Sequence, residues 1–271
     1  MPRLVCFFLI PGFFCQIAWA QPTLDLRHSK WGALLGQTLV VKQNGQVTRL
    51  DYGLLKSKNS QLSAYLQDLS KVSESEFKSL NRQDQMAFLI NAYNAAMARL
   101  VTDHFPVTSV KKIGIPSVGP WKNNFITLFG RKMTPDDLEH DTLRKIYKDV
   151  RIHFAVNCAS VSCPSLRPTP YIGNQLESQL SEQATLFFNN KKENSFDPNK
   201  YELRLNSILK WFREDFTKTD DTGLVSYVAP YMPELASHLK DKNGKQDNAK
   251  MAQIKITYND YDWALNGIDS L

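Results

Sequence analysis

The chain has 271 residues, 42% hydrophobic and 22% charged, with 33 basic against 27 acidic side chains and a net charge of +6. A chain of this length buries roughly 70–75% of its extended surface, so it needs no disulfide framework or structural metal to fold. Its basic excess is scattered over single lysines such as Lys56, Lys111 and Lys191, which reads as a solvated surface and argues against a nucleic-acid binder.

The first twenty residues are expected to be a leader. Arg3 precedes the apolar run "LVCFFLIPGFF", and "AWA" at 18–20 places small residues at −3 and −1. This pattern is that of a secretory signal peptide cleaved after Ala20. Pro11 and Gly12 interrupt the run, which argues against a retained anchor, and the phenylalanines before Cys15 argue against lipoprotein processing. Residues 21–271 are then a single exported domain, periplasmic or secreted, with no membrane span. Cys6 and Cys15 leave with the leader, so Cys158 and Cys163 are the thiols that reach an oxidising compartment.

Along the mature chain, "QLSAYLQDLS" carries Leu62, Tyr65, Leu66 and Leu69 at helical spacing. In "NRQDQMAFLINAYNAAMARLV", Asn81 is an N-cap with Asp84 at N3. The helix 82–102 is apolar on one side and small on the other, the pattern of a buried helix. Asn91 and Asn94 inside it then need partners, because an unpaired buried amide costs about 1–3 kcal/mol. Residues 113–124 read as a Gly/Pro loop around Trp121, and "NFITLFGRKMT" as a hairpin turning at Gly130. Thr134 caps the next helix, with Pro135 at N1 and Asp137 at N3. It packs Leu138, Leu143, Ile146 and Tyr147, and carries Glu139 at the edge of its buried stripe.

"VRIHFAVNC" is β-branched and aromatic, and predicts a central strand over about 150–158, buried on both faces and broken at Ala159. Helices follow at 174–190, 206–217 and 223–232, then a strand at 252–258. Many helices around a small sheet give an α+β fold.

Together "FLINAYNA", "MTPDDLEHDTLR", "RIHFAVNCASVSCPSL", "WFREDF" and "YDWALNG" resemble the bacterial exported branch of the Domain of Unknown Function 547 family, from about residue 60 to the end. The resemblance implies that Asn91, Asn94, Glu139, His140, Arg151, His153, Asn157, Cys158, Cys163 and Pro164 occupy the family's marked positions. It implies no settled reaction. A distant papain- or transglutaminase-like similarity stays open.

The residue types point to thiol chemistry. Cys158 ends the expected strand, where a nucleophile can be aimed, and it needs a base because an ordinary thiol is only a few per cent thiolate at neutral pH. His153 and His140 are the candidate bases, and Glu139 lies beside the second. Asn91 or Asn94 would orient an imidazole or stabilise an oxyanion. The reading is acyl transfer on a peptide-like or small substrate by a peptidase, amidase or transglutaminase-like hydrolase. The competing reading is a Cys158–Cys163 disulfide, a ring of about six residues worth roughly 2 kcal/mol. The polar residues would then form a structural network in a non-catalytic envelope-binding module, with any ligand held by the Trp121 loop. No spacing matches a standard metal site, and no cofactor is expected.

Overall fold

The computed structural model describes residues 24–114, 119–218 and 220–270. The expected leader, residues 1–20, lies outside them. The described chain is α+β and forms a single domain, in which helices surround three small sheets. Two of these are hairpins, Leu39–Lys42 with Val47–Leu50 and Ile126–Leu128 with Arg131–Met133. In the third, Glu202–Leu205 lies between Ser195–Asp197, antiparallel, and Lys255–Tyr258, parallel. Among the described residues no helix is long and apolar enough to cross a membrane.

The helix Arg82–His104 is the axis of the first half. Asn81 accepts the Asp84 amide at 2.9 Å, a cap worth about 1 kcal/mol. From Met86 to Thr102 every residue except Arg99 is buried. Trp31, Leu62, Tyr65, Phe88 and Leu138 belong to the cluster packed around it, each large side chain contributing roughly 1.5–3 kcal/mol. A second cluster gathers Phe187, Phe188, Leu203, Leu209 and Leu235 between the helix Leu176–Asn189 and the three-stranded sheet.

The segment 150–158 is central and buried, but it is not a strand. Ile152–Ala155 is one helical turn, and the chain becomes extended only at Val156. Apolar side chains on every face fit a buried helix as well as a buried strand, and no neighbouring strand supplies a ladder here. Instead Asn94 takes the strand's place. Its Nδ2 donates to the Ala155 carbonyl at 2.9 Å and its Oδ1 accepts the Asn157 amide at 2.8 Å. Ile152, Ala155 and Val156 pack in the first cluster and Phe154 in the second, so this segment joins the two.

Other boundaries moved by a few residues. The expected helix 206–217 breaks at Phe212 into Ile208–Trp211 and Arg213–Phe216. The last strand is Lys255–Tyr258, preceded by a helix at Asn248–Gln253. Thr134 and Asp137 cap each other, with amide bonds of 2.8 and 3.0 Å. The helix they start, however, is a π-helix over Asp137–Tyr147, with the Thr142 hydroxyl on the Asp137 carbonyl five residues back. A wider turn rotates later residues off the α-helical stripe. Leu138, Glu139, Leu143 and Tyr147 are therefore buried, whereas Ile146, expected in the core, is 55% exposed.

Candidate active site

The turn after Val156 is built to hold Cys158 still. Asn157 donates to the Pro164 carbonyl at 2.7 Å, and its Oδ1 accepts the Ala159 amide at 2.9 Å. Ala159 takes a left-handed backbone, φ 68°, a conformation that costs a residue with a Cβ roughly 1–2 kcal/mol. The C-terminal tail straps the same turn. Val161 donates to Ala264, Ser162 to Asp262, and Asn266 to Ala159, at 2.9–3.2 Å. Asn266 Nδ2 closes on Asn157 Oδ1 at 3.1 Å.

Cys158 opens onto a pocket of about 200 Å³ that is also lined by Tyr93, Glu139, His140, His153 and Cys163. Aromatic rings wall its mouth. Trp211, 46% exposed, stacks on Trp263 at 5.7 Å, and Tyr261 packs against both. The Cys158 sulfur meets Cys163 Sγ at 3.1 Å, Ser160 Oγ at 3.0 Å and Tyr261 OH at 3.4 Å. Hydrogen bonding from Cys163, with smaller help from Ser160 and Tyr261, outweighs burial and lowers the Cys158 thiol to about 7. Cys163 is driven the other way by burial and by its neighbour, so the first proton leaves from Cys158. The two cysteines are free thiols, and 3.1 Å is well beyond the disulfide bond length of about 2.05 Å.

His153 is almost wholly buried. Its Nε2 lies 2.6 Å from Asp215 Oδ2, and its ring stacks on Phe212 with centroids 4.4 Å apart. Asp215 also accepts Arg144 Nε at 2.7 Å. These two donors, His153 foremost, hold its carboxyl well below the usual carboxylate range. An ionised carboxylate only accepts, so Nε2 carries a hydrogen and Nδ1 is the nitrogen left to take up or release a proton. His140 is arranged differently. Its Nδ1 accepts Arg144 Nη1 at 3.3 Å, which occupies the lone pair a base would use. Both histidines also line a second hollow of about 550 Å³, with Arg144, Lys148, Asp215 and Lys218.

The structure therefore sorts the candidate residues into two groups. Glu139, His140, His153, Cys158 and Cys163 line the pocket. Asn91, Asn94, Asn157 and Arg151 belong to the frame. Asn91 clamps Tyr171, donating to its carbonyl at 2.8 Å and accepting its amide at 3.0 Å. Asn94 is engaged in the same way, so the oxygen and one Nδ2 hydrogen of each amide are spent on the backbone, and both asparagines serve the frame where the sequence suggested a catalytic partner. Arg151 points away to Asp149 and Glu177, at 2.6 Å each. Among the described residues no group of three His, Cys, Asp or Glu side chains is placed to hold a metal.

Asp215, Tyr261 and Tyr93 were missed by sequence reasoning. The first two stand in the quoted segments "WFREDF" and "YDWALNG", where a carboxylate and a phenol beside aromatic residues were the available signal. Residues 77–188 match the family described as "Protein of unknown function, DUF547". The matched residues carry Tyr93, Glu139, His140, His153, Cys158 and Cys163, while Trp211, Tyr261 and Trp263 line the same pocket from beyond them and Asp215 holds His153 from behind. No curated protein and no solved structure matches the chain.

Proposed function

We propose that this protein is an exported bacterial thiol hydrolase that transfers acyl groups, with Cys158 as nucleophile, His153 as base and Asp215 orienting the base. One observation carries the reading: a half-buried thiol shares a small pocket with a histidine whose Nε2 is fixed by a carboxylate. His153 Nδ1 takes the Cys158 proton as sulfur adds to the acyl carbon, and the carbonyl electron pair moves to oxygen. Collapse breaks the C–N or C–O bond, and the imidazolium returns its proton to the leaving amine or alcohol. Water, deprotonated by His153, then releases the acid. Peptide or cell-wall amides suit the compartment that the leader pattern at 1–20 indicates; an intact mass beginning at Gln21 is the check on export.

The deciding experiment compares Cys158→Ala and Cys163→Ala on a panel of amide and ester substrates. The reading expects loss of at least a thousandfold in Cys158→Ala, with Cys163→Ala remaining active. Equal activity of the two variants overturns it.

The 3.1 Å contact between the sulfurs supports a second reading. Loss of two hydrogens to an oxidant joins them, and the chain is then a non-catalytic envelope-binding module with a Cys158–Cys163 bridge. Iodoacetamide separates the readings: the native protein is alkylated at Cys158 in the first and unlabelled until reduced in the second.

A further inference from the structure

An acyl-transfer site needs a hydrogen-bond donor for the oxygen that gains charge as sulfur adds. The asparagine amides are engaged with backbone, and the Cys158 amide donates to Cys163 Sγ at 3.0 Å. Tyr93 is the residue before the Asn94 clamp, and it lines the pocket with Cys158. It is 0% exposed, and its hydroxyl has no partner within 3.5 Å, the Glu139 carboxylate being an acceptor near enough to act on it only at longer range. A buried hydroxyl without a partner costs about 1–3 kcal/mol, and such groups are rare in folded chains. This one belongs to a residue that lines the pocket of about 200 Å³ holding the thiol.

We propose that the Tyr93 hydroxyl is a catalytic residue, donating its hydrogen bond to the acyl oxygen of the substrate while Cys158 adds to the carbon. The inference rests on the acyl-transfer reading. Burial, followed by the charges of Glu139 and Cys158, pushes the Tyr93 phenol well above its ordinary range, so it stays a donor at every working pH. In the step itself the C–S bond forms, the carbonyl electron pair moves onto oxygen, and Tyr93 shares its proton with that oxygen without giving it up. Collapse returns the pair to the carbonyl and expels the leaving group.

The test is Tyr93→Phe, which removes one oxygen and keeps the ring in the core. p-Nitrophenyl acetate is the acyl donor: acetylation of Cys158 releases p-nitrophenolate in a burst. Iodoacetamide is the control electrophile, since its displacement at a saturated carbon builds no oxyanion. Tyr93→Phe is expected to slow the burst on the order of a hundredfold. Alkylation should stay within about twofold of wild type, and thermal stability should be unchanged or raised, because an unpartnered hydroxyl is lost. A burst at the wild-type rate overturns the inference. So does a parallel fall in burst and alkylation, which would place the effect on the thiol or the fold. Cys158→Ala separates the two claims: if it acetylates like the wild type, the thiol reading fails; if it is silent while Tyr93→Phe matches wild type, the assignment of Tyr93 alone fails.

Discussion

Two hollows open beside the helix Arg82–His104. One, about 830 Å³, lies at its N-terminal end and is lined by Arg82, Asp84, Gly173 and Glu177. The other, about 200 Å³, holds Cys158. In the larger, Arg82, Asp84 and Glu177 already have partners. Arg82 Nη2 donates to the carbonyls of Ile146 and Tyr147, Asp84 accepts from Asn81, and Glu177 accepts from Arg151. In the smaller, a phenol lacks a partner, and a thiol is drawn below its usual range. Volume alone would select the larger hollow. Groups left unsatisfied or perturbed are what mark a site for chemistry.

The contrast breaks most readily at Asp215. Asp215→Asn keeps the shape but replaces an obligate acceptor with an amide that can present its NH₂ to His153, which undoes the tautomer. The expected cost is 10²–10⁴-fold in the p-nitrophenyl acetate burst. Gln83→Ala, in the wall of the larger hollow, should leave the burst unchanged. Equal effects from the two would erase the distinction between the hollows.

A second comparison concerns stability. Asn94→Ala strands the Ala155 carbonyl and the Asn157 amide, both buried, and each costs about 1–3 kcal/mol. The urea midpoint should fall by an amount equivalent to about 2–5 kcal/mol. Asn174→Ala, exposed beside the larger hollow, should shift it by less than about 0.5 kcal/mol. A midpoint for Asn94→Ala near wild type would mean that the clamp is not what holds the segment.

The smallest effect sharpens the picture of the thiol. Its lowered value favours the thiolate, so alkylation of Cys158 by iodoacetamide should reach half its limiting rate near pH 7 and fall away below it. An ordinary thiol does so near pH 8.5. Because hydrogen bonding from Cys163 is the largest cause of the lowering, Cys163→Ala should move the midpoint upward. A midpoint that stays put would assign the lowering to another group.

Local signals in the sequence survived where the physics is local. Asn81 caps with Asp84, Thr134 with Asp137, and Gly130 turns its hairpin with φ 72°. Burial of the helix 82–102 followed from its lack of a charged face. The thiol, both histidines and Glu139 stood out because reactive side chains in a mostly apolar run need a reason, and these four line one pocket. Failure came where partners are distant. Whether residues 152–155 form a helix or a strand depends on what Asn94, some sixty positions away, offers the backbone. Ile146 lost its place because a π-helix changes which residues share a face. Asp215 and Tyr261 join the pocket through contacts spanning 62 and 103 positions, and no spacing rule reaches that far.

The tail that straps the cysteine turn sets an order of assembly. During synthesis, Cys158 and Cys163 are made about a hundred residues before Tyr261, Asp262, Ala264 and Asn266. Until those residues dock, Cys158 lacks the Tyr261 hydroxyl, and the turn lacks the tail's hydrogen bonds. The nascent chain thus carries a sulfur that lacks one of its hydrogen-bond partners, and the pocket around it is complete only when this later segment closes over it. A fragment confined to residues 77–188 would hold both sulfurs and His153, yet would never reach that state.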